Sequence, residues 1–546
     1  MEKRLFVSRA ITLIPLILAL ACGRYANTPD DAETPVASSS KDIVSFGIVS
    51  PVNGDGSIDE TSRRMTVTVP TGTDVSRLIA RFVSTGVSTT VNGIEQVSGT
   101  TVNDFTHPVT YKVTAADGST KAYSAVVAIG ESTGTAYPLA QGPTGRYLVD
   151  QAGEPVLMTG DAPWSLIVQL GDDDVKTYLD SRAAMGFNTI LVNLIEHKFA
   201  DNAPKNIFGD SPFIGTAFQS APNESYFTHA DFVIQQAALR GILVLLAPAY
   251  VGYNGEDEGW CAEMQAATDE QMKDWGRFVG ARYADQPNIL WVIGDDCAPE
   301  RVRSKLQAVV SGIIERDSSH LMTAHNGPGS TAVAAWGSPI PSWLTVNNVY
   351  EYSNPLTPAA QTAYNAGIPF FEIESNYESE NSSTPQQIRA QAYDTILSGG
   401  FGEVFGNSPM WSFGSGWKSQ LNSTGTVSMR NLGKLFRSRD WHLLRPDDTI
   451  VTAGAESGST ATVSAGASDG RTCIVYLPTQ RTITVDLEKV SGSTAHLWWY
   501  DVSEGVSADA GTYSTAGTRS LAPSSAGDWI LVMDDASYSF PLPGNQ

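Results

Sequence analysis

From about residue 140 to residue 445, short apolar runs alternate with segments whose apolar residues recur at helical spacing. The runs are 155–160, 188–194, 242–248, 289–294, 321–324, 344–350, 369–373 and 402–405. Most are continuous rather than alternating, as expected of strands buried on both faces. Between them, Thr268-Asp269-Glu270-Gln271 is a capping box that opens a helix with Met272, Trp275 and Val279 on one side. Thr384-Pro385-Gln386-Gln387 is a second box, with proline at the first helical position, and its helix is expected to stop at Gly399-Gly400. Eight strands alternating with helices over about 300 residues favour a (β/α)8 TIM barrel over an open sheet. We place it at 137–445.

The pattern changes on either side. Across 41–130 apolar residues alternate with polar ones: Met65, Val67 and Val69, then Val109, Tyr111 and Val113, then Tyr123, Ala125, Val127 and Ile129 beyond an Asp117-Gly118 turn. Period-two runs joined by such a turn are hairpin signals, and we expect a small immunoglobulin-like β-sandwich. From 446 to 540 the chain returns to β, with Ile483, Val485 and Leu487 alternating and strand-like runs at 498–500 and 529–533. The expected class is therefore multidomain, α/β plus all-β: a central barrel flanked by an N-terminal and a C-terminal β-sandwich.

The first residues suggest export. Lys3 and Arg4 precede a largely apolar stretch, 11–21, which ends at Cys22. Eleven residues are too few for a bilayer span, which needs about 20, but they suit a signal-peptide core. The Leu-Ala-Leu-Ala-Cys ending at Cys22 resembles a bacterial lipoprotein signal, so residues 1–22 are expected to be the signal with Cys22 lipidated. Residues 23–40, rich in Thr, Pro, Asp and Ser, would be a disordered tether. An ordinary secretory signal with an incidental cysteine is the alternative, and it exports the chain as well. The expected location is the bacterial cell envelope, with membrane contact through a lipid anchor only.

Composition narrows the partners. A formal net charge of −23 repels phosphate backbones and argues against nucleic acid. No Cys/His spacing reads as a zinc site and no phosphate loop or serine elbow is found, so neither metal nor cofactor is expected. Cys261 and Cys297 follow neighbouring strands and are a candidate disulfide; Cys473 reads as a buried hydrophobe.

In a TIM barrel the active site lies at the carboxyl ends of the strands. There the first strand supplies Asp161 and Trp164, the second Asn193 and His197, and the third Tyr250. The fourth supplies Asp295 and Asp296, the fifth His325 and Asn326, and the sixth Tyr350 and Tyr352. The seventh supplies Glu372, Glu374, Tyr377 and Glu378, and the eighth is followed by Trp411. Carboxylates thus end strands four and seven, on opposite sides of a mouth rimmed by aromatic residues. Paired carboxylates flanking a cleft are what glycosidic cleavage requires, and aromatic faces suit sugar rings. Taken singly, Asp295-Asp296 also suits a helix cap and Glu374 an ion pair.

Residues 140–445 resemble the apiosidase-like glycoside hydrolases. The resemblance rests on Arg146-Tyr147-Leu148-Val149-Asp150, Gly153-Glu154-Pro155, Gly160-Asp161-Ala162-Pro163-Trp164, the 182–188 segment Arg-Ala-Ala-Met-Gly-Phe-Asn, and the 288–294 segment Asn-Ile-Leu-Trp-Val-Ile-Gly. Residues 446–535, with Val475-Tyr476-Leu477-Pro478 and Trp499-Tyr500-Asp501, are similar to the small β domain, described as collagen-binding, that often follows. The resemblance implies a retaining double displacement with Asp296 as acid/base and Glu374 as nucleophile, and it places the family's first-strand aspartate at Asp161. Two departures stand out: Asp295 replaces a glycine and Ser375 a proline. Asp295 therefore stays open as an alternative proton donor.

The expected function is a retaining glycoside hydrolase that removes a terminal sugar, β-apiose by the family's name, from a plant-type oligo- or polysaccharide. Asp161, Trp164, Asn193, His325, Tyr350, Tyr377 and Trp411 are the expected sugar-binding shell, with Asp295 and Glu372 supporting it. The alternatives are an exo-glycosidase for another pentose or deoxy sugar, and a non-catalytic carbohydrate- or matrix-binding lipoprotein.

Overall fold

The computed structural model describes residues 37–50, 54–69, 73, 75–129, 135–255, 257–294, 296 and 298–545. The expected signal with Cys22, most of the tether, Asp295, and Cys297 with its expected pairing to Cys261 lie outside these residues.

The central sheet is curled and has nine strands, eight of them parallel. In chain order the parallel strands are Met158–Asp161, Thr189–Asn193, Leu243–Ala247, Ile289–Gly294, Met322–His325, Asn347–Tyr350, Phe370–Glu374 and Gly402–Phe405. All eight fall on the apolar runs. The second, third and fourth are buried at every position, which is why those runs do not alternate. Each strand pairs with its successor from the first to the fifth and from the sixth to the eighth, and the eighth pairs with the first. Between the fifth and sixth, the Thr345 and Val346 N–H groups donate to the Met322 carbonyl at 3.0 and 3.1 Å, and Asn348 Nδ2 donates to the Ala324 carbonyl at 2.6 Å. The ninth strand, Ser330–Thr331, lies antiparallel on the sixth.

Two strands start three residues later than expected. Pro155–Val156 is not the beginning of the first strand; it joins Ala140–Gln141 and Leu148–Val149 in a separate three-stranded sheet. The sixth begins at Asn347, because the Thr345 hydroxyl is spent on the Met322 N–H and carbonyl. Both capping boxes form as read. Helix Asp269–Tyr283 lies hard against helix Arg303–Ile314, and a Cβ on Gly276 would come within 2.1 Å of the Val309 carbonyl oxygen.

The described residues between 43 and 129 form a nine-stranded sheet around Met65, Val67, Tyr111, Val113 and Tyr123. The C-terminal all-β region has a six-stranded and a three-stranded sheet. Between those sheets Val475, Leu497 and Leu531 meet Ile483 and Val485. The other face of the six-stranded sheet, with Ile474, Tyr476, Ile530 and Val532, packs against Tyr393, Met429 and Phe436 of the last two central helices. Arg389 clamps this contact, donating to both oxygens of Asp528 at 2.8 and 2.7 Å; Arg439 does the same to Asp534 at 3.0 and 2.6 Å.

Both partners of the Arg389–Asp528 pair are almost fully buried. Removing one partner of such a pair leaves an uncompensated charge and costs about 3–5 kcal/mol. Asp528→Ala is therefore expected to lower unfolding stability by about that amount in urea titrations; a loss below about 1 kcal/mol contradicts the clamp.

Candidate active site

The parallel strands deliver their last side chains to one end of the sheet, and the tip of the fourth sets the geometry. Gly294 has φ +94°, and a Cβ there would lie 2.7 Å from the His325 carbonyl oxygen; glycine alone suits the position. Two residues later Asp296 also takes a positive φ, +52°, which aspartate tolerates at some cost in backbone energy. Its N–H donates to His325 Nδ1 at 2.9 Å. With Nδ1 accepting, the neutral imidazole carries its proton on Nε2. That nitrogen lies 3.1 Å from Glu374 Oε2. One fully buried ring thus links the backbone of the fourth strand's tip to the carboxylate of the seventh.

Tyr350 makes a second link. Its hydroxyl lies 3.0 Å from Asp296 Oδ1, 3.3 Å from Glu374 Oε1 and 2.8 Å from the Tyr352 hydroxyl. Tyr352 itself donates to Glu374 Oε1 at 3.1 Å. Burial, and then the charges of Glu374 and Asp296, hold the Tyr350 hydroxyl far above the ordinary tyrosine range, so it keeps its proton. Tyr250 reaches Asp296 Oδ2 at 3.3 Å and Glu258 Oε1 at 2.9 Å. Among the described residues no lysine or arginine pairs with Glu374, whose contacts are His325, Tyr350 and Tyr352.

Aromatic residues complete the surroundings. The His325 ring stacks on Tyr350 with centroids 4.9 Å apart and lies 5.5 Å from Trp164. Trp164 Nε1–H donates to the Tyr377 hydroxyl at 2.7 Å. Trp411 Nε1–H donates to Glu380 at 2.6 Å. Asn193 is buried at the end of the second strand, and its amide meets no hydrogen-bond partner among the described residues. No group of three or more His, Cys, Asp or Glu among the described residues has metal-holding geometry.

Four of the residues read at the strand ends point elsewhere; one is Glu378, whose carboxylate accepts from the Gly425 N–H at 2.8 Å and from Asn407 Nδ2 at 2.7 Å. Asp161 is not part of a sugar-binding shell. Its Oδ2 accepts from the Tyr178 hydroxyl at 2.6 Å and faces Arg182 Nη1 at 3.4 Å, both on helix Asp172–Ala184. It shares a strand face with Thr159, which accepts from Arg437 of another helix, so alternation along the strand turns it toward the helix layer. Burial raises its carboxyl pKa, and Arg182 opposes the rise. Glu372 likewise faces helix Pro385–Leu397, accepting from the Thr395 hydroxyl at 3.2 Å. His197 is held in its loop by the Asp257 carbonyl and Glu263. Phe199, Glu258 and Glu380, which contact the site's aromatic residues, escaped sequence reading, because they sit in irregular loops where no periodicity marks a side chain's direction.

Residues 143–442 match the family model described as "Apiosidase-like, catalytic domain", more than half of the 546 residues. The chain belongs to the apiosidase-like family. As a member of that family it is a glycoside hydrolase, with a saccharide as substrate. Residues 43–127 match "SGBP, N-terminal" and residues 446–534 match "Putative collagen-binding domain of a collagenase". Among solved structures, a "Glycoside hydrolase" is 22% identical with a TM-score of 0.65, covering 74% of this chain and 98% of its own. A glycoside hydrolase of family 5 from Bacteroides vulgatus is 22% identical with a TM-score of 0.66, covering 74% and 95%. At that identity the likeness is one of fold. No curated protein matches the chain.

Behind the apiosidase-like site, burial lifts the Glu372 and Asp394 carboxyls to about 7 each. Both values exceed those of free carboxyls, so the folded chain holds extra protons between about pH 4 and pH 7, and stability falls as pH rises through that window. The double variant Glu372→Gln, Asp394→Asn should melt above wild type at pH 8 and level with it at pH 4, read by calorimetry. An equal gap at both pH values would show that these carboxyls do not titrate as described.

Proposed function

We propose that this apiosidase-like protein is a retaining β-glycosidase in which Glu374 is the nucleophile and Asp296 the acid/base. The observation that carries the reading is the Tyr350 hydroxyl shared by both carboxylates. Its contacts of 3.0 and 3.3 Å limit the distance from Asp296 Oδ1 to Glu374 Oε1 to about 6.3 Å, their sum. Retention uses carboxyl groups about 5–5.5 Å apart and inversion roughly 6.5–9.5 Å; the limit favours retention.

In the first step Glu374 attacks the anomeric carbon while Asp296 protonates the departing glycosidic oxygen. In the second, Asp296 takes a proton from water, which displaces Glu374 from the sugar. The Tyr350 and Tyr352 hydroxyls lie 3.3 and 3.1 Å from Glu374 Oε1 and His325 Nε2 lies 3.1 Å from its Oε2, which holds the carboxylate in place. Trp164, Tyr377, Trp411 and the partnerless amide of Asn193 supply faces and a donor for the sugar. We read the curled sheet at 137–445 as a (β/α)8 barrel, its first and eighth strands paired and its fifth and sixth stitched by Met322. The flanking regions, 41–130 and 446–540, read as β-sandwiches, the first of immunoglobulin type. A terminal β-apiose on a plant polysaccharide is the sugar that the family's name suggests; another terminal pentose or deoxy sugar is the alternative. Export and lipid anchoring at Cys22 remain part of the proposal on the strength of the N-terminal pattern.

The test is a panel of plant and microbial polysaccharides and aryl glycosides. Wild type should release one sugar with retained anomeric configuration, read by NMR. Glu374→Ala should abolish release. Asp296→Ala should slow polysaccharide cleavage by about 10²–10⁴-fold; on dinitrophenyl glycosides, whose leaving group needs no proton, only the first step should stay fast, giving a burst followed by slow turnover because the second step lacks its base. Either variant matching wild type, an inverted product, or polysaccharide binding without cleavage would overturn the assignment.

A further inference from the structure

Three rings stand in contact along one side of the mouth. Phe199, from the loop after the second strand, lies 4.7 Å from Tyr250, after the third, and 4.8 Å from Trp411, after the eighth, measured between centroids. The second and eighth strands flank the first, so the Phe199–Trp411 contact spans the end of the first strand, where Trp164 lies. Rings at such distances are in van der Waals contact and leave no passage for a sugar chain between them.

Both outer rings are pinned. Tyr250 donates to Glu258 and reaches Asp296. Trp411 donates to Glu380, and its carbonyl accepts from the Ser165 N–H at 3.1 Å. Phe199 is half-buried between them. The sixth-strand side differs: Tyr352, which touches Glu374, is 40% exposed, so the mouth meets solvent there.

We propose that Phe199 is the stop that makes this cleft a pocket. The sugar being transferred lies between Glu374 and the ring wall, nothing longer fits beyond it, and the polymer is shortened one terminal residue at a time. The proposal rests on Glu374 and Asp296 being the reacting pair. Phe199 acts by excluding chain, not by touching the reacting atoms.

The test reads product size by mass spectrometry on the polysaccharide that wild type digests in the panel. Wild type should release monosaccharide alone. Phe199→Ala should release di- and longer saccharides as well, with at least about a tenfold rise in their ratio to monosaccharide. A ratio is read, so a change in overall rate does not enter. Phe199→Leu, which keeps most of the packing, should move the ratio the same way and serves if the alanine variant fails to fold. Longer products from wild type, or monosaccharide alone from a folded variant, overturn the stop. A Glu374→Ala chain as active as wild type would instead sink the two-carboxylate reading, which the product ratio does not measure.

Discussion

At the tip of the fourth strand the chain leaves the sheet through two positive-φ residues, Gly294 and Asp296. A turn of that kind breaks the ladder and frees a backbone N–H that needs an acceptor. Asp296 finds it in His325 Nδ1. The bond holds an uncommon conformation for a non-glycine residue, and it fixes the imidazole tautomer with the proton on Nε2, the nitrogen 3.1 Å from Glu374 Oε2. The backbone at Asp296 and the carboxylate of Glu374 therefore meet at one ring. Were His325 doubly protonated, it would lose its acceptor nitrogen and with it the hold on Asp296.

The surrounding protein keeps that ring still. His325 is sandwiched between Tyr350 and Trp164, and Trp164 is tied to Tyr377, whose ring would meet any side chain placed at Gly406 within 2.2 Å. Behind the wall, Asp161, Glu372, Asp394 and Glu403 are buried carboxyls that take no part in this arrangement. Burial raises the pKa of each, and only Asp161 has a cationic partner, Arg182, among the causes that oppose the rise. Burial penalises the charged form of each; Asp161 is offset by Arg182, and the other three have no cation beside them among the described residues. The C-terminal sheet adds rigidity from outside by packing on the helices that follow the seventh and eighth strands.

Much of this was legible in the sequence. Continuous apolar runs marked all eight parallel strands because both faces of each are covered. The capping boxes marked two helix starts because their side-chain and backbone partners are three residues apart. Carboxylates at the ends of the fourth and seventh strands stood out against an apolar background. What the sequence hid was direction. Asp161 and Glu372 sit at strand ends, yet their side chains enter the helix layer: Asp161 by alternation with Thr159, and Glu372 apart from Glu374, two residues on, because the pairing with the sixth strand slips by one residue between them. The first strand begins three residues later than its apolar run suggests, and that run gave no other clue to which face Asp161 takes. Phe199 was hidden for a different reason: its partners lie on loops distant in sequence, and only the closed arrangement of strands makes them neighbours.

Floor and wall of the site thus have different origins. The floor is made of strand ends, Asn193, His325, Tyr350 and Glu374, whose positions follow from the ladder of a buried sheet and tolerate little movement. The ring wall is made of side chains from three loops, held by contacts with one another and by hydrogen bonds to Glu258, Asp296 and Glu380. Loops of this kind change without disturbing the sheet beneath. Tyr250 belongs to both, because its hydroxyl also reaches Asp296 Oδ2 at 3.3 Å; of the three rings, it is the one whose replacement would disturb a carboxylate as well as the wall.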